Sequence, residues 1–277
     1  MWLWSSLHRL WEDMLRSDTW VGTFDIVMKG NAQTIDWVMD KCIESTTSPY
    51  KIDHDYAPPV WQDVTASGNT FKLLTVGAGT MGGNDTQVQR GCIGTGFTIG
   101  QSIDSDNGEC VITMNCMTAY KNSTAGTVPT TPAVTFFTNP PFNIKDNDTY
   151  NINDGSAEDL MIYSWELSAT RPVERIGART YTGSQSPFGY AMTGAWEVTG
   201  SLSVKRDASM DGIKTSLYDG SPVAVNVGEA GVFEVNVAKA FLNGSTIDNG
   251  GSILKQTIPF TASVTSPTAG ELFTITI

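Results

Sequence analysis

The stretch Trp196 to Lys205, WEVTGSLSVK, alternates apolar and polar residues with a period of two. On an extended chain its large apolar side chains share one side, and they are Trp196, Val198, Leu202 and Val204. The opposite side carries small polar and charged residues, namely Glu197, Thr199, Ser201, Ser203 and Lys205. This pattern predicts a half-buried β-strand with one face on a core and the other in solvent.

The same alternation recurs in both halves of the chain. In the C-terminal half it places apolar residues at Tyr163, Trp165 and Leu167; at Phe233, Val235 and Val237; at Leu254, Ile258 and Phe260; and at Phe273, Ile275 and Ile277. In the N-terminal half the corresponding runs are Phe24, Ile26 and Met28; Phe97 and Ile99; and Cys110, Ile112, Met114 and Cys116. The polar stretch from Asp104 to Gly108 is typical of a hairpin turn. We therefore expect an all-β fold, a sandwich or barrel.

Two internal segments have helical spacing instead. One contains Ile35, Val38, Met39 and Cys42, and the other contains Ile213 and Leu217. A shift of 178 residues lays Phe24 and Ile26 on Leu202 and Val204, and Ile35 and Met39 on Ile213 and Leu217. The sequence thus favours a duplicated fold with two or three short helices. Residues 19–120 form the first half and residues 155–277 the second.

The segment 121–154 is rich in threonine, asparagine and proline, a composition that disfavours helices and ladders. We interpret it as a linker between the halves. Residues 1–18 form a further segment, in which apolar residues share one helical face, namely Leu3, Leu7, Leu10, Trp11 and Met14. They predict an amphipathic helical arm, which covers either the subunit's own fold or a neighbour.

Composition excludes several classes of protein. The chain has 277 residues, of which 40% are hydrophobic and 17% charged, so it suits a globular protein with a substantial core. We expect no membrane insertion, because no apolar run approaches the roughly 20 residues that a spanning helix needs. The net charge of −12 argues against a grip on nucleic acid through phosphates.

Four cysteines, at positions 42, 92, 110 and 116, are too few and too irregularly spaced for a disulfide scaffold. The N-terminus places charged residues where a signal peptide would have its apolar middle. We therefore expect synthesis in the reducing cytoplasm and four buried, free thiols.

We expect no enzyme activity, metal or cofactor. His8 and His54 are the only histidines, and Asp53-His54-Asp55 has no nucleophile in a recognisable setting. The acids from Asp104 to Glu109 imitate a calcium loop but lack its glycine and glutamate spacing. The acidic stretch from Asp146 to Asp159 lacks ligand spacing too, and such runs are usually solvated.

The order of these elements carries a family resemblance. The first half runs from a strand at Val21 to Lys29 through a helix at Ala32 to Ile43, Tyr50-Lys-Ile-Asp-His54, and a hairpin from Gly91-Cys92 into Glu109 to Met117. The second half contains Ile162-Tyr-Ser-Trp-Glu-Leu167, the strand Trp196 to Arg206, a helix ending at Leu217-Tyr218, and Gly250 to Phe260. Over residues 20 to 265 the chain resembles the siphovirus-type tail tube (major tail) proteins of tailed phages.

The resemblance implies a structural subunit of the virion tail, assembled in the host cytoplasm and in contact with other tail proteins. Its copies would form rings, and the stacked rings would form the conduit that viral DNA crosses without specific binding. Doubled members of the family are expected to form trimeric rings that mimic hexamers, so trimers are favoured here, with hexamers as the alternative.

Two sets of charged residues are candidates for contacts in such a tube. Arg171, Arg175 and Arg179 recur every four residues, but Pro172 and Gly177 disfavour a helix, so we expect a loop that reaches acids of a neighbouring subunit or ring. Acids would repel DNA from the channel, and the candidates for its lining are Asp104, Asp106, Glu109, Asp146 and Asp148. Two other functions stay open: a carbohydrate-binding β-sandwich on a virion or cell surface, and another tail component such as a tail terminator.

Overall fold

The computed structural model describes residues 23–43, 45, 47–53, 62–63, 74–78, 87–117, 120–121, 139–153, 160–181, 184–207, 210–251, 253–264 and 270–277. These residues form 17 strands and two α-helices, with single 3₁₀ turns at Asp106–Gly108 and Ile144–Asp146. The all-β prediction is confirmed. Within this part of the chain, neither helix has the length and hydropathy needed to span a membrane.

In the first half the elements are β1 (Thr23–Lys29), α1 (Ala32–Cys42), β2 (Tyr50–Asp53), β3 (Gln62–Asp63), β4 (Leu74–Ala78), β5 (Gln87–Ser102), β6 (Val111–Met117) and β7 (Tyr120–Lys121). They are followed by β8 (Thr149–Asn153), β9 (Ile162–Thr170), β10 (Val173–Tyr181), β11 (Ser184–Met192), β12 (Glu197–Lys205) and α2 (Asp211–Asp219). The last strands are β13 (Val223–Glu229), β14 (Phe233–Leu242), β15 (Thr246–Asp248), β16 (Lys255–Ala262) and β17 (Glu271–Thr276). Strand β8 lies inside the segment that the composition suggested as a linker.

One large antiparallel sheet runs through both halves. Its order is β1-β6-β5-β9-β12-β16-β14-β13-β8, so β9 joins strands of the first half to strands of the second. At β14 the sheet branches, because the start of this strand also pairs with β17, which in turn pairs with β2. A separate sheet has the order β10-β11-β3.

The core lies between the β1-to-β16 layer and the layer of β8, β13, β14, β17 and β2. The Phe97 ring of the first layer meets the Phe273 ring of the second edge-on, with centroids 5.8 Å apart. Phe142, from the predicted linker, stacks on Phe233 with centroids 4.6 Å apart. That segment therefore packs partly on the core.

Helix α1 closes one side of the core, as its spacing predicts. Asn31 and Thr34 form a capping box, in which each side chain accepts the other's backbone N–H, at 2.9 and 2.8 Å. The helix buries Ile35, Val38 and Met39 completely. Helix α2 follows β12 as α1 follows β1, and it ends at Gly220, whose φ of 72° suits glycine.

The β1-to-β16 layer, which we call the main layer, contains two three-stranded units whose strands pair in matching registers. Their first two strands are β1 and β6 in one unit and β12 and β16 in the other. Phe24 on β1 faces Cys116 on β6, and Leu202 on β12 faces Ile258 on β16, as the shift of 178 residues requires for the first strand of each unit. The third strand of the first unit is β5, and in the second unit it is β14 continued by β15. In both units the register between the third and the middle strand shifts by one residue. Against β6 the shift lies between Gly94 and Gly96 of β5, and against β16 it lies between Leu242 of β14 and Thr246 of β15.

Candidate functional site

The outward side of β1, β6, β5, β9, β12 and β16 forms one continuous surface, which we name the polar face. Its core-facing neighbours on the same strands are buried, or on β1 partly buried, so alternation alone separates the two sides. The polar face is dominated by partly or fully exposed hydroxyl side chains, namely Thr23, Thr98, Ser102, Thr113, Ser164, Ser168, Thr170, Thr199, Ser201, Ser203, Thr257 and Thr261. Such short hydroxyl side chains make a hydrated surface that offers few contacts to a ligand.

The charges on the polar face balance. Its acids are Asp25, Glu166 and Glu197, and its bases are Lys29, Lys205 and Lys255. Among the described side chains of these six strands, three carboxylates against three ammonium groups leave no net charge.

Hydrogen bonds tie neighbouring strands together across the polar face. Asn115 donates from its amide to the Asp25 carboxylate at 2.9 Å, and the Thr98 hydroxyl lies 3.2 Å from that of Ser168. Between β6, β5, β9 and β12 the face is concave and encloses about 340 Å³, lined by Thr113, Ser164 and Glu166 among others.

Glycines let β9 lie close to both of its neighbours. A Cβ at Gly100 of β5 would stand 2.5 Å from the carbonyl oxygen of Trp165, and one at Gly200 of β12 would stand 2.5 Å from that of Glu166. Real Cβ atoms do not come this near to backbone oxygens. The joint between the two units therefore requires residues without side chains.

The acids predicted to line a channel fall into two groups. Asp104, Asp106 and Glu109 lie on the β5–β6 hairpin at one end of the polar face. Lys29 bridges two of them, with its Nζ 2.7 Å from Asp106 Oδ1 and 3.1 Å from Glu109 Oε2. Burial tends to lower the pKa of Lys29, but hydrogen bonds to these carboxylates and their charges outweigh it and raise that pKa.

Lys255 makes a similar bridge, with its Nζ 3.0 Å from Asp104 Oδ2. The hairpin acids are thus compensated by lysines of β1 and β16. Exposed pairs of this kind stabilise a fold by about 0–1 kcal/mol each.

Asp146 and Asp148 belong to the other layer, beside the β13–β14 turn. Asp148 accepts a hydrogen bond from the backbone N–H of Ala230 at 3.0 Å and one from the Thr149 hydroxyl at 3.1 Å. The first of these bonds is the main cause that lowers the pKa of Asp148. The structure does not place these two acids on the polar face.

The three candidate arginines lie in different surroundings. Arg171 is 3% exposed, donates from Nη2 to the carbonyl oxygen of Gly94 at 2.8 Å, and lies 5.4 Å from the ring centroid of Trp196. Its guanidinium therefore holds β5, β9 and β12 of one subunit together. Arg175 and Arg179 lie on strand β10, not on a loop, and Arg175 is partly exposed.

Several other candidates lie outside the described residues, namely Leu3, Leu7, Leu10, Trp11, Met14, His8 and His54. The four cysteines are buried and none forms a disulfide, as predicted. Among the residues that the structure describes, no three His, Cys, Asp or Glu side chains are grouped as metal ligands would be.

Sequence reasoning missed the free edges of the main layer. In the described part of the chain, β1 pairs only with β6, and β15 pairs only with β16, so each leaves one edge unpaired. These edges lie at opposite ends of the layer. Alternation gave the polar side of each strand, but strand order depends on contacts distant in sequence, so no local signal could have shown which strands are terminal.

A family model described as phage tail tube protein matches residues 11–262 of the chain. A comparison with curated proteins finds no match.

Proposed function

The chain belongs to the phage tail tube protein family, and we propose that its copies join into closed rings whose stack is the conduit for the viral genome. Family membership makes it a structural protein of the virion tail. It also favours this role over carbohydrate binding.

One observation carries the proposal: within the described residues, the layer that bears the polar face ends in an unpaired strand edge on each side, at β1 and at β15. Unpaired N–H and C=O groups at an edge template pairing with another chain. If the layers of successive copies join at these edges, directly or through one further strand, they close into a barrel without edges, and heterologous contacts of this kind form a ring.

The polar face is the proposed wall of the channel. DNA binds proteins largely through phosphate contacts that release counterions, so a wall rich in lysine and arginine would hold the genome back. A hydroxyl-rich face with three acids and three lysines offers no such excess. Asp104, Asp106 and Glu109 are then expected at one end of the channel.

We further propose a duplicated subunit and trimeric rings. The matching registers of the two units support this, because each copy would supply two equivalent sixths of a six-part ring. The halves, residues 19–120 and 155–277, are proposed to be joined by residues 121–154. Assembly takes place in the host cytoplasm, and other tail proteins contact the ends of the stack.

Contacts between rings are assigned to residues 1–18 and to Arg175 and Arg179. Arg171 is omitted, because its guanidinium is buried within its own subunit. Deleting residues 1–18 tests the arm: rings that persist but no longer stack support it, whereas a misfolded subunit shows that the arm covers its own fold.

Cryo-electron microscopy of the overexpressed protein tests the function. We expect rings or tubes, threefold symmetry, and the polar face turned inward, with a neutral or negative sum of charges around the axis. A protein that stays monomeric at high concentration in every salt condition would refute assembly. A positive sum of wall charges would refute the proposed channel, and sixfold symmetry with one chain per unit would refute the trimer.

A further inference from the structure

Inside one subunit the two three-stranded units meet across a single strand. Thr98 of β5 faces Ser168 of β9, and Ser168 faces Thr199 of β12. Both β5 and β12 run antiparallel to β9, so they run in the same direction. This joint shows how the second unit follows the first.

The matching registers give the residues that would stand in the same relation between subunits. Asp248, at the end of β15, corresponds to Thr98. After the register shift, pairing resumes at Thr246 in the second unit and at Gly96 in the first, and Asp248 and Thr98 each lie two residues further along. Thr23 on β1 corresponds to Ser201 on β12, two residues beyond Thr199. Asp248 and Thr23 therefore occupy the two edges that are unpaired within the described residues.

We infer that the β15 edge of one copy faces the β1 edge of the next copy in the same direction, with room for one strand between them, as β5 faces β12 across β9. This inference rests on the proposed function and adds its register. In this arrangement Asp248 of one copy and Thr23 of the next are offset by two strand spacings across the sheet and by two residues along the strands. Their Cα atoms are then about 12 Å apart.

Within one copy these residues lie much farther apart. Six strand spacings separate β1 from β15 in the order β1-β6-β5-β9-β12-β16-β15, which is about 29 Å for a flat sheet. A reagent that spans about 12 Å can thus link them only between copies.

Site-directed cross-linking tests the inference. The Thr23→Cys/Asp248→Cys variant is assembled, checked for rings by electron microscopy, and treated with a bis-maleimide of matching reach. The matched control, Val27→Cys/Asp248→Cys, uses a residue on the same side of β1 but four positions further along, which raises the separation to about 22 Å. The four native cysteines are buried and stay out of the reaction.

We expect covalent dimers and trimers from the first variant and monomers from the control. If rings form and both variants link equally, or neither links, the inferred register is wrong while the proposed function stands. If the first variant forms a disulfide directly on mild oxidation, the edges touch and the gap of one strand is wrong. If neither the wild type nor the variants form rings, the proposed function fails and the inference fails with it.

Discussion

Replacing Gly200 by alanine tests how closely β9, β12 and β16 are packed. A Cβ at this position would stand 2.3 Å from Cζ of Phe260 and 2.5 Å from the carbonyl oxygen of Glu166. The Phe260 ring can tilt, but the carbonyl belongs to the backbone of a central strand. Overpacking of this kind costs about 1–3 kcal/mol.

Alanine also lowers the conformational entropy of the unfolded chain, which adds about 0.4–1 kcal/mol to the free energy of unfolding. The net expectation is a loss of about 1 kcal/mol in the free energy of unfolding, or a fall in Tm of about 2–4 °C for a chain of this size. Urea unfolding of unassembled subunits, followed by tryptophan fluorescence, measures it.

The matched control is Gly251→Ala. There the nearest atoms to a new Cβ are 3.9 Å away, so we expect a change within about 0.5 kcal/mol. If Gly200→Ala is as stable as this control, the close approach of the strands is not what requires glycine.

Three further predictions concern buried and paired groups. Arg171→Met should lower the free energy of unfolding of the isolated subunit by about 2 kcal/mol, because the carbonyl of Gly94 loses a charged donor; unchanged stability with lost assembly would instead make Arg171 a contact residue. Alkylation of the denatured, unreduced chain should label four thiols, and mass spectrometry showing fewer would reveal a disulfide. The pKa of Glu271 is lowered from its usual 4.5, chiefly by a hydrogen bond from Lys51, so its stabilisation is present above pH 4.5 and lost as the pH falls below it. Urea curves of Glu271→Gln and wild type should therefore differ slightly at neutral pH and converge in acid, and a gap that widens in acid would contradict this sign.

Local pattern predicted the secondary structure well. Alternation placed Trp196 and Val198 in the core and Ser201 outside, and helical spacing placed α1, because burial on one face imposes these periods. The polar face could therefore be read from sequence one strand at a time.

Pairings between distant residues could not be predicted in this way. The spacing of Arg171 suggested a surface loop, yet its buried guanidinium donates to a backbone carbonyl 77 residues away. Asp106 was predicted to line a channel, but the sequence did not indicate that Lys29 would bind it across the same sequence distance. Contacts of a side chain with a backbone carbonyl, or with a residue distant in sequence, produce no periodic pattern in the sequence.

Strand β2 has a consequence for how the protein is made. In the described part of the chain it pairs only with β17, and the Lys51–Glu271 bridge between them joins residues 220 positions apart. At 5–20 residues per second, a ribosome needs roughly 10–45 s to travel from one strand to the other. Until then the place of β17 is empty and the second layer is incomplete. A chain released before β17 is made would keep the edges of β2 and β14 that pair with β17 exposed, and its second layer would stay incomplete.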